Sequence, residues 1–236
     1  MERGISTDRL MIGLGIHTSI SPYSIALVNE DKVLGELSVV ASHDFGEHLI
    51  DEINSLAQKA GVSLSDIQVI GVTHGPGSYT GIRIGVTVAK SISQVQQIPV
   101  FGVSTLDSFM QSWGAEGTGF VIIPAVKHEF NCCLYTKSGS QITPLSDEII
   151  WTEDQLIDKL SAFQSPIVII TSDDRSIPEV IKSQKNVTVM VLGIRGSAVA
   201  FCGIHDLKMG QKGDYNDVVA HYSHLPTIGP KKEGKS

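Results

Sequence analysis

A long Lys/Arg block is missing from this sequence. Residues 181–185, IKSQK, hold only two lysines, and the formal net charge is -7. Gripping a nucleic-acid backbone needs a positive track, so the chain is not expected to hold nucleic acid by itself; membership of a complex whose other members supply that track stays open. No stretch reaches the roughly 18 uncharged apolar residues that a bilayer span needs. The start, MERGISTDRL, lacks the long apolar region of a signal peptide; a cytoplasmic location without membrane contact is expected. Cys132, Cys133 and Cys202 form no C-x-x-C pair, which leaves ordinary small apolar side chains as the expectation against zinc or redox work. Two phosphate-binding fingerprints are absent as well. Gly81 is followed by Ile82-Arg83, and Lys90-Ser91 is preceded by Ala89 with Ile84 at the first glycine position, so no G-x-x-x-x-G-K-[ST] exists. No G-x-G-x-x-G occurs either.

What is present is core material. A chain of 236 residues with 42% hydrophobic side chains can bury roughly 70% of the surface exposed by its unfolded form. LMIGLGIHTS (10–19), YSIALVN (23–29) and VLGELSVVA (33–41) read as three tightly joined strands. GEHLIDEINSLAQKAG (46–61) places Leu49, Ile53, Leu56, Ala57 and Ala60 on one helical face, with Gly61 as the stop. IQVIGVTH (67–74) is a continuous apolar strand of the parallel type. A second helix follows, then the strand IPVFGVS (98–104).

QSWGAEGTG (111–119) reads as a boundary, and beyond it the pattern partly repeats. FVIIPAV, FNCCLYT and QITPL read as strands, EDQLIDKLSAF as a helix capped by Thr152, PIVIITS and VTVMVLG as strands, and SAVAFCGIHDLKMG as a last helix. The expected organisation is a duplicated α/β unit with mixed sheets and flanking helices. Its first part comprises 1–106 plus 195–225, its second, smaller part 107–194, and 226–236 form a tail.

The densest pattern is HGPGSYTGIRIGVTVAKS (74–91). Gly75-Pro76-Gly77 makes a sharp turn, and Ser78 or Thr80 can cap the helix that follows. Gly81, Gly85 and Ala89 recur every fourth residue as a smooth ridge, beside a face of Ile84, Val88, Ile92 and Val95. A helix apolar over so much of its circumference must be covered on more than one side. Its own sheet is one cover, and another subunit is the expected second. Arg83 sits in the first turn, an unfavourable end for a cation; it is read as facing an anion, an acidic partner residue, or an Asp or Glu of the neighbouring helix.

These residues resemble the TsaB (YeaZ) family: GPGSYTGIRIG…AK, the opening IGLGIHTSISPYSIALV, EHLIDEI, IPVFGVSTLD and KHEFNCCLY. The resemblance implies an outline shared with actin, Hsp70 and sugar kinases (a ribonuclease H-like duplicated fold), without a working nucleotide or metal site. It implies a non-catalytic subunit that binds TsaD, with TsaE as third component, for threonylcarbamoyl transfer to N6 of adenosine 37 in tRNAs reading ANN codons. Residues 46–60 and 79–97 would bundle with the same helices of TsaD, or with a second copy when the chain is alone. The interface expected on that basis comprises Glu47, Leu49, Ile50, Ile53, Gly81, Arg83, Ile84, Gly85, Val88, Ile92 and Val95. The glycine ridge would let a partner helix approach closely. No cofactor is expected beyond ATP or ADP at an interface of the complex.

The chain departs from the family pattern at several points. I-D-T-S is Ile16-His17-Thr18-Ser19 here, D-A-R is Pro124-Ala125-Val126, and a histidine before the first helix is Phe45. A histidine cannot replace a carboxylate on Mg²⁺, which prefers oxygen. His17 is read as a satisfied polar residue at a strand end, Asp173-Asp174 as a solvated loop with Arg175, and His43, His48, His128, His221 and His224 as surface or boundary residues. The alternatives are an independent ATP-dependent kinase or hydrolase of the same fold, or a homodimeric paralogue with another partner.

Overall fold

The computed structural model describes residues 10–30, 32–40 and 45–223. His43, His224 and the tail expected at 226–236 lie outside them. A first sheet runs in the order β3-β2-β1-β4-β5. Its strands are β1 (Ile12–His17), β2 (Tyr23–Val28), β3 (Val33–Val39), β4 (Ile67–Gly75) and β5 (Val100–Ser104). The first three pair antiparallel, while β4 and β5 join parallel to β1. The expected order β-β-β-α-β-α-β is therefore observed, with α1 (Phe45–Ala60) and α2 (Tyr79–Gln96) as its helices.

A second sheet repeats this order. Its strands are β6 (Gly117–Pro124), β7 (Glu129–Ser138), β8 (Gln141–Pro144), β10 (Ile167–Thr171) and β11 (Val187–Val191), arranged β11-β10-β6-β7-β8, with β9 (Ile149–Thr152) added on β7. Here β6-β7-β8 stand where β1-β2-β3 stand in the first sheet, and β10-β11 where β4-β5 stand. This is the expected duplicated plan of mixed sheets with flanking helices. α4 (Glu153–Ser161) begins at Thr152, whose side chain and Gln155 form a reciprocal capping box.

Three elements escaped the sequence reading: α3 (Thr105–Ser112), β9, and the single turn α5 (Glu179–Lys182). α3 carries the chain from one sheet to the other, so the dividing line expected after residue 106 falls inside a helix. Leu106, Phe109 and Met110 bury its inner face against the second sheet. Lys137 closes its C-terminus, donating from Nζ to the carbonyls of Met110 at 3.0 Å, Gln111 at 3.2 Å and Trp113. A buried cation is satisfied there by carbonyls at the negative end of a helix dipole.

The faces of β4 show how the first sheet is sandwiched. Ile70 and Val72 point into the core shared with α1 and α2, while Val69 and Gly71 face the last helix, α6 (Gly196–Lys208). α6 lies on the sheet backbone to backbone. A Cβ on Gly15 would stand 1.9 Å from the Gly196 carbonyl oxygen, and one on Gly71 would stand 2.1 Å from that of Val199. Among the described residues no helix is long and apolar enough to cross a membrane.

Gly71→Ala should lower the urea unfolding free energy by about 3 kcal/mol or more, at the top of the overpacking range. Gly114→Ala, with nothing within 4 Å of the added carbon, should be neutral or slightly stabilising. Equal effects of the two would refute the backbone contact.

Candidate protein interface and the polar cleft beside it

The glycine-rich turn is folded against this chain's own loops. Gly75 and Gly77 have φ of 124° and 153°, a region open to glycine. A Cβ on them would stand 2.0 Å from the His221 carbonyl oxygen and 2.4 Å from that of Ser19. The turn's donors are used internally: Ser78 N–H bonds the Ser19 carbonyl at 2.7 Å, and Gly81 N–H bonds the capping Ser78 hydroxyl at 3.2 Å. With those N–H groups turned into the fold, this turn shapes the chain and leaves no phosphate cradle at those donors.

The ridge behind it also faces inward, which corrects the expectation of a smooth seat for a partner helix. A Cβ at Gly81 would come within 2.1 Å of the Thr18 carbonyl oxygen, and at Gly85 within 2.2 Å of Thr18 Oγ1. Thr18 Oγ1 donates to the Gly81 carbonyl at 2.7 Å. The glycines let α2 settle on the end of β1. Leu49 and Ile53 are likewise sealed in the core, so four of the eleven expected interface residues, Gly81, Gly85, Leu49 and Ile53, point inward.

The others reach the surface. Ile50 is 52% exposed and Val95 83% exposed; Glu47 and Arg83 are exposed, and Ile84, Val88 and Ile92 are partly so. The two helices meet closely at Gly46, where an added Cβ would stand 2.7 Å from Ile84 Cδ1. Arg83 turns onto Tyr79 rather than onto an acid of α1. Its Nη1 donates to the Tyr79 hydroxyl at 2.9 Å, its guanidinium lies 5.3 Å from the ring centroid, and the Tyr79 ring packs on Tyr222 at 4.7 Å. Tyr222 belongs to a C-terminal strap that runs along α2. Lys90 Nζ donates to the Val218 carbonyl at 3.2 Å, His221 N–H to the His74 carbonyl at 2.7 Å, and Ser223 bonds Asn131 of the second sheet at 2.6 Å.

Beside this face, the strand ends of the first sheet hold a closed polar network. His17 is 1% exposed, with Nδ1 at 3.2 Å from Thr73 Oγ1 and 3.3 Å from Ser19 Oγ. Thr105 Oγ1 donates to Ser19 Oγ at 2.8 Å. Burial pulls the imidazole pKa down to about 3, against a backbone hydrogen bond at Ile20 that raises it, so the ring is neutral. It is a satisfied polar residue.

Sequence reasoning missed a second cluster nearby. Burial pushes the Asp107 carboxyl above the usual carboxylate range, the Tyr135 hydrogen bond opposing it and the Glu148 charge adding to it. Ser104 donates to Glu148, whose other oxygen lies 3.9 Å from His221 Nδ1. The aspartate of GVSTLD was the one available signal. All three cysteines are free thiols that burial pushes up, Cys202 to about 12; none is a thiolate at neutral pH. Asp173 forms a two-pronged surface pair with Arg175. Pro124, Ala125, His128 and Glu129 line a cleft of about 550 Å³ at the ends of the second sheet. No group of three or more His, Cys, Asp or Glu with metal-binding geometry occurs among the described residues.

Comparison with known proteins places these features in context. A family model described as TsaD, tRNA N6-adenosine threonylcarbamoyltransferase, matches residues 34–172. The tRNA threonylcarbamoyladenosine biosynthesis protein TsaB of Bacillus subtilis is 29% identical over 227 residues, covering 90% of this chain and 93% of that protein. TsaB of Escherichia coli is 30% identical over 110 residues, 46% of this chain and 47% of that one. The solved structure of YeaZ from Pseudomonas aeruginosa superposes with a TM-score of 0.77 at 20% identity, over 90% of this chain and 100% of that one, which is likeness of fold.

The His17 pKa has a stability consequence with a definite sign. The unfolded state takes up this proton near pH 6.5 and the folded state near pH 3. The stabilisation is therefore complete above about pH 6.5 and lost as pH falls towards 3, by about 1.4 kcal/mol per unit. Between pH 7 and 5 the parent should lose about 2 kcal/mol more than His17→Gln in urea titrations. Parallel losses would show that the ring is protonated in the fold.

Proposed function

The chain belongs to the tRNA N6-adenosine threonylcarbamoyltransferase family and matches its TsaB (YeaZ) members in sequence and fold; from that premise we propose that it is a non-catalytic subunit that binds TsaD. In this reading it supports threonylcarbamoyl transfer to N6 of adenosine 37 in tRNAs reading ANN codons. TsaE joins as a third component, and tRNA is held through other subunits.

The observation that carries this reading is the outer face of α1 and α2. Ile50 and Val95 stand in solvent there beside Ile84 and Val88, although the inner sides of the same helices are fully packed. Large apolar side chains grouped on one face mark an interaction site. The TsaD model spans residues 34–172, a range that includes both helices, so a TsaD-type partner offers a comparable pair. The sealed His17 supports a non-catalytic role: a catalytic base at that turn would need access to a substrate, and a hard cation would need a carboxylate there. Net charge of -7 supports indirect contact with tRNA.

We also take the first lobe as 1–106 with 195–225 and the second as 107–194, the contact with TsaD lying wholly on the first. α6 supports this division by packing on the first sheet.

Mixed with TsaD from the same organism, the chain should form a 1:1 complex by size exclusion with light scattering. Val88→Asp and Val95→Asp should each weaken that complex about tenfold or more, as central apolar contacts do, at an unchanged thermal midpoint. Gly85→Leu should unfold the chain instead, because its side chain must displace Thr18. Full affinity in both surface variants would move the interface elsewhere, and no complex with folded TsaD would remove the proposed partner.

A further inference from the structure

The two sheets end in four edges, and three of them are guarded against further pairing. β3 carries Glu36, whose carboxylate turns inward and accepts from Ser197 N–H at 2.8 Å, and its ladder to β2 shifts register between Leu27 and Val28. β5 is covered, since Val100 N–H bonds the Gly213 carbonyl at 2.9 Å. The side of β7 away from β6 is shared by β8 and β9, of four residues each, and Pro144 closes β8. Inward charge, irregular register, cover, short length and proline are the ways in which sheet edges are blunted. β11 has none of them. Val187–Val191 reads VTVMV, without charge, proline or glycine, and pairs with β10 in unbroken register.

Alternate residues of a strand serve opposite neighbours. The Asn186 carbonyl accepts from Ile167 N–H at 2.8 Å, and Leu192 N–H donates to the Thr171 carbonyl at 3.0 Å. Even-numbered residues of β11 therefore serve β10, and odd-numbered ones turn outward. Val187 N–H is taken by the Gln184 carbonyl at 3.1 Å, whereas the outward N–H groups of Val189 and Val191 meet no partner among the described residues. Val187 and Val189 pack in the outer core with Ile181, and Val191 continues that face at 53% exposure. What matches donors and acceptors at this spacing is an extended strand.

Charge decides whose strand it is. Asp173 and Glu179 in the turns before β11 are engaged by Arg175 and Lys182. The segment 183–195 holds two charged residues, both cationic and exposed: Lys185 before the strand and Arg195 after it. A second copy paired antiparallel about Val189 would set Lys185 opposite Gly193, two residues from that copy's Arg195. The same meeting of like charges would recur at the other end, which opposes self-pairing. The geometry points to β11 as a docking edge for an extended segment of another protein, uncharged and β-branched in its middle and acidic at both ends. β11 belongs to the second sheet, whereas α1 and α2 cover the first. This partner and TsaD therefore have separate seats, and the inference stands apart from the proposed function.

A synthetic peptide, acetyl-Asp-Thr-Val-Thr-Val-Thr-Glu-amide, tests the edge by calorimetric titration into the full chain. A second peptide with lysine at both ends is its comparison. The acidic peptide should bind about tenfold more tightly than the lysine one, and amide exchange at Val189 and Val191 should slow when it binds. Val191→Pro removes an outward donor and leaves the ladder to β10 whole, as proline on an edge strand does. It should weaken the acidic peptide about tenfold at an unchanged thermal midpoint. Lys185→Glu should level or reverse the preference between the two peptides, and it serves as the test if Val191→Pro unfolds the chain.

Three results would overturn the docking edge. One is that neither peptide saturates the chain by about 10⁻³ M. Another is equal affinity for the two peptides, or full affinity in a folded Val191→Pro variant. The third is self-association of the parent that Val191→Pro abolishes, which would make a second copy the occupant of β11. TsaD affinity should be the same for Val191→Pro and the parent, so failure of the edge leaves the proposed function standing, and failure of TsaD to bind leaves the edge standing.

Discussion

The contact on which the rest of the structure depends is the seat of α6 on β1 and β4. At Gly15 and Gly71 there is no side chain between helix and sheet, and carbonyl oxygens of α6 occupy the places where Cβ atoms would be. Such an approach makes the helix a middle layer: it covers the inner face of the first sheet and touches α3, which in turn covers the second. With that face occupied, α1 and α2 are confined to the far side of the sheet. Beside the C-terminal strap along α2, their outer surfaces carry the exposed Ile50 and Val95, so the free apolar face follows from the tight packing on the opposite side.

The same economy of side chains operates at α2. Gly81 and Gly85 let its first two turns close over Thr18, and the turn before it closes over Ser19 and His221. The strand ends beside it are filled by His17, Thr73, Ser19 and Thr105 bonded to one another. A buried polar group is stable when partnered and costly when not. This network therefore stiffens the joint between the sheets, and its neutral histidine offers no charge for an ion or phosphate. The close seat of α2 and this neutral polar network are two aspects of one packing solution.

Most of the first sheet was legible in the residues, because β1 to β5 are long apolar runs with clear turns between them. α3, β9 and α5 were not. They have eight, four and four residues, too few for periodicity to stand out from the polar stretches around them. The glycine repeat shows a different limit. Spacing by four establishes that Gly81 and Gly85 share a face, but a partner helix and Thr18 of the same chain fit that face equally well. Residue identity at 18 carried no sign of the contact. The polar network was invisible for a related reason: Thr105 and Ser19 lie 86 positions apart, and no local pattern joins them. Arg83 was recognised as unusual at its helix end, whereas its companion Tyr79, four residues earlier, needed the folded helix to be seen.

The chain order of α6 bears on how this molecule is made. The strands it covers are synthesised first, and the helix itself spans Gly196–Lys208. During translation β1 and β4 can pair as soon as residues up to 75 have left the ribosome, yet one side of their sheet stays bare through more than a hundred further additions. Local contacts cannot finish the first lobe, so its completion waits for a long-range closure of the kind that slows folding. In that interval the uncovered strands are open to unwanted association. A nascent chain of this design stands to gain from a chaperone that shields the first sheet until its last helix arrives.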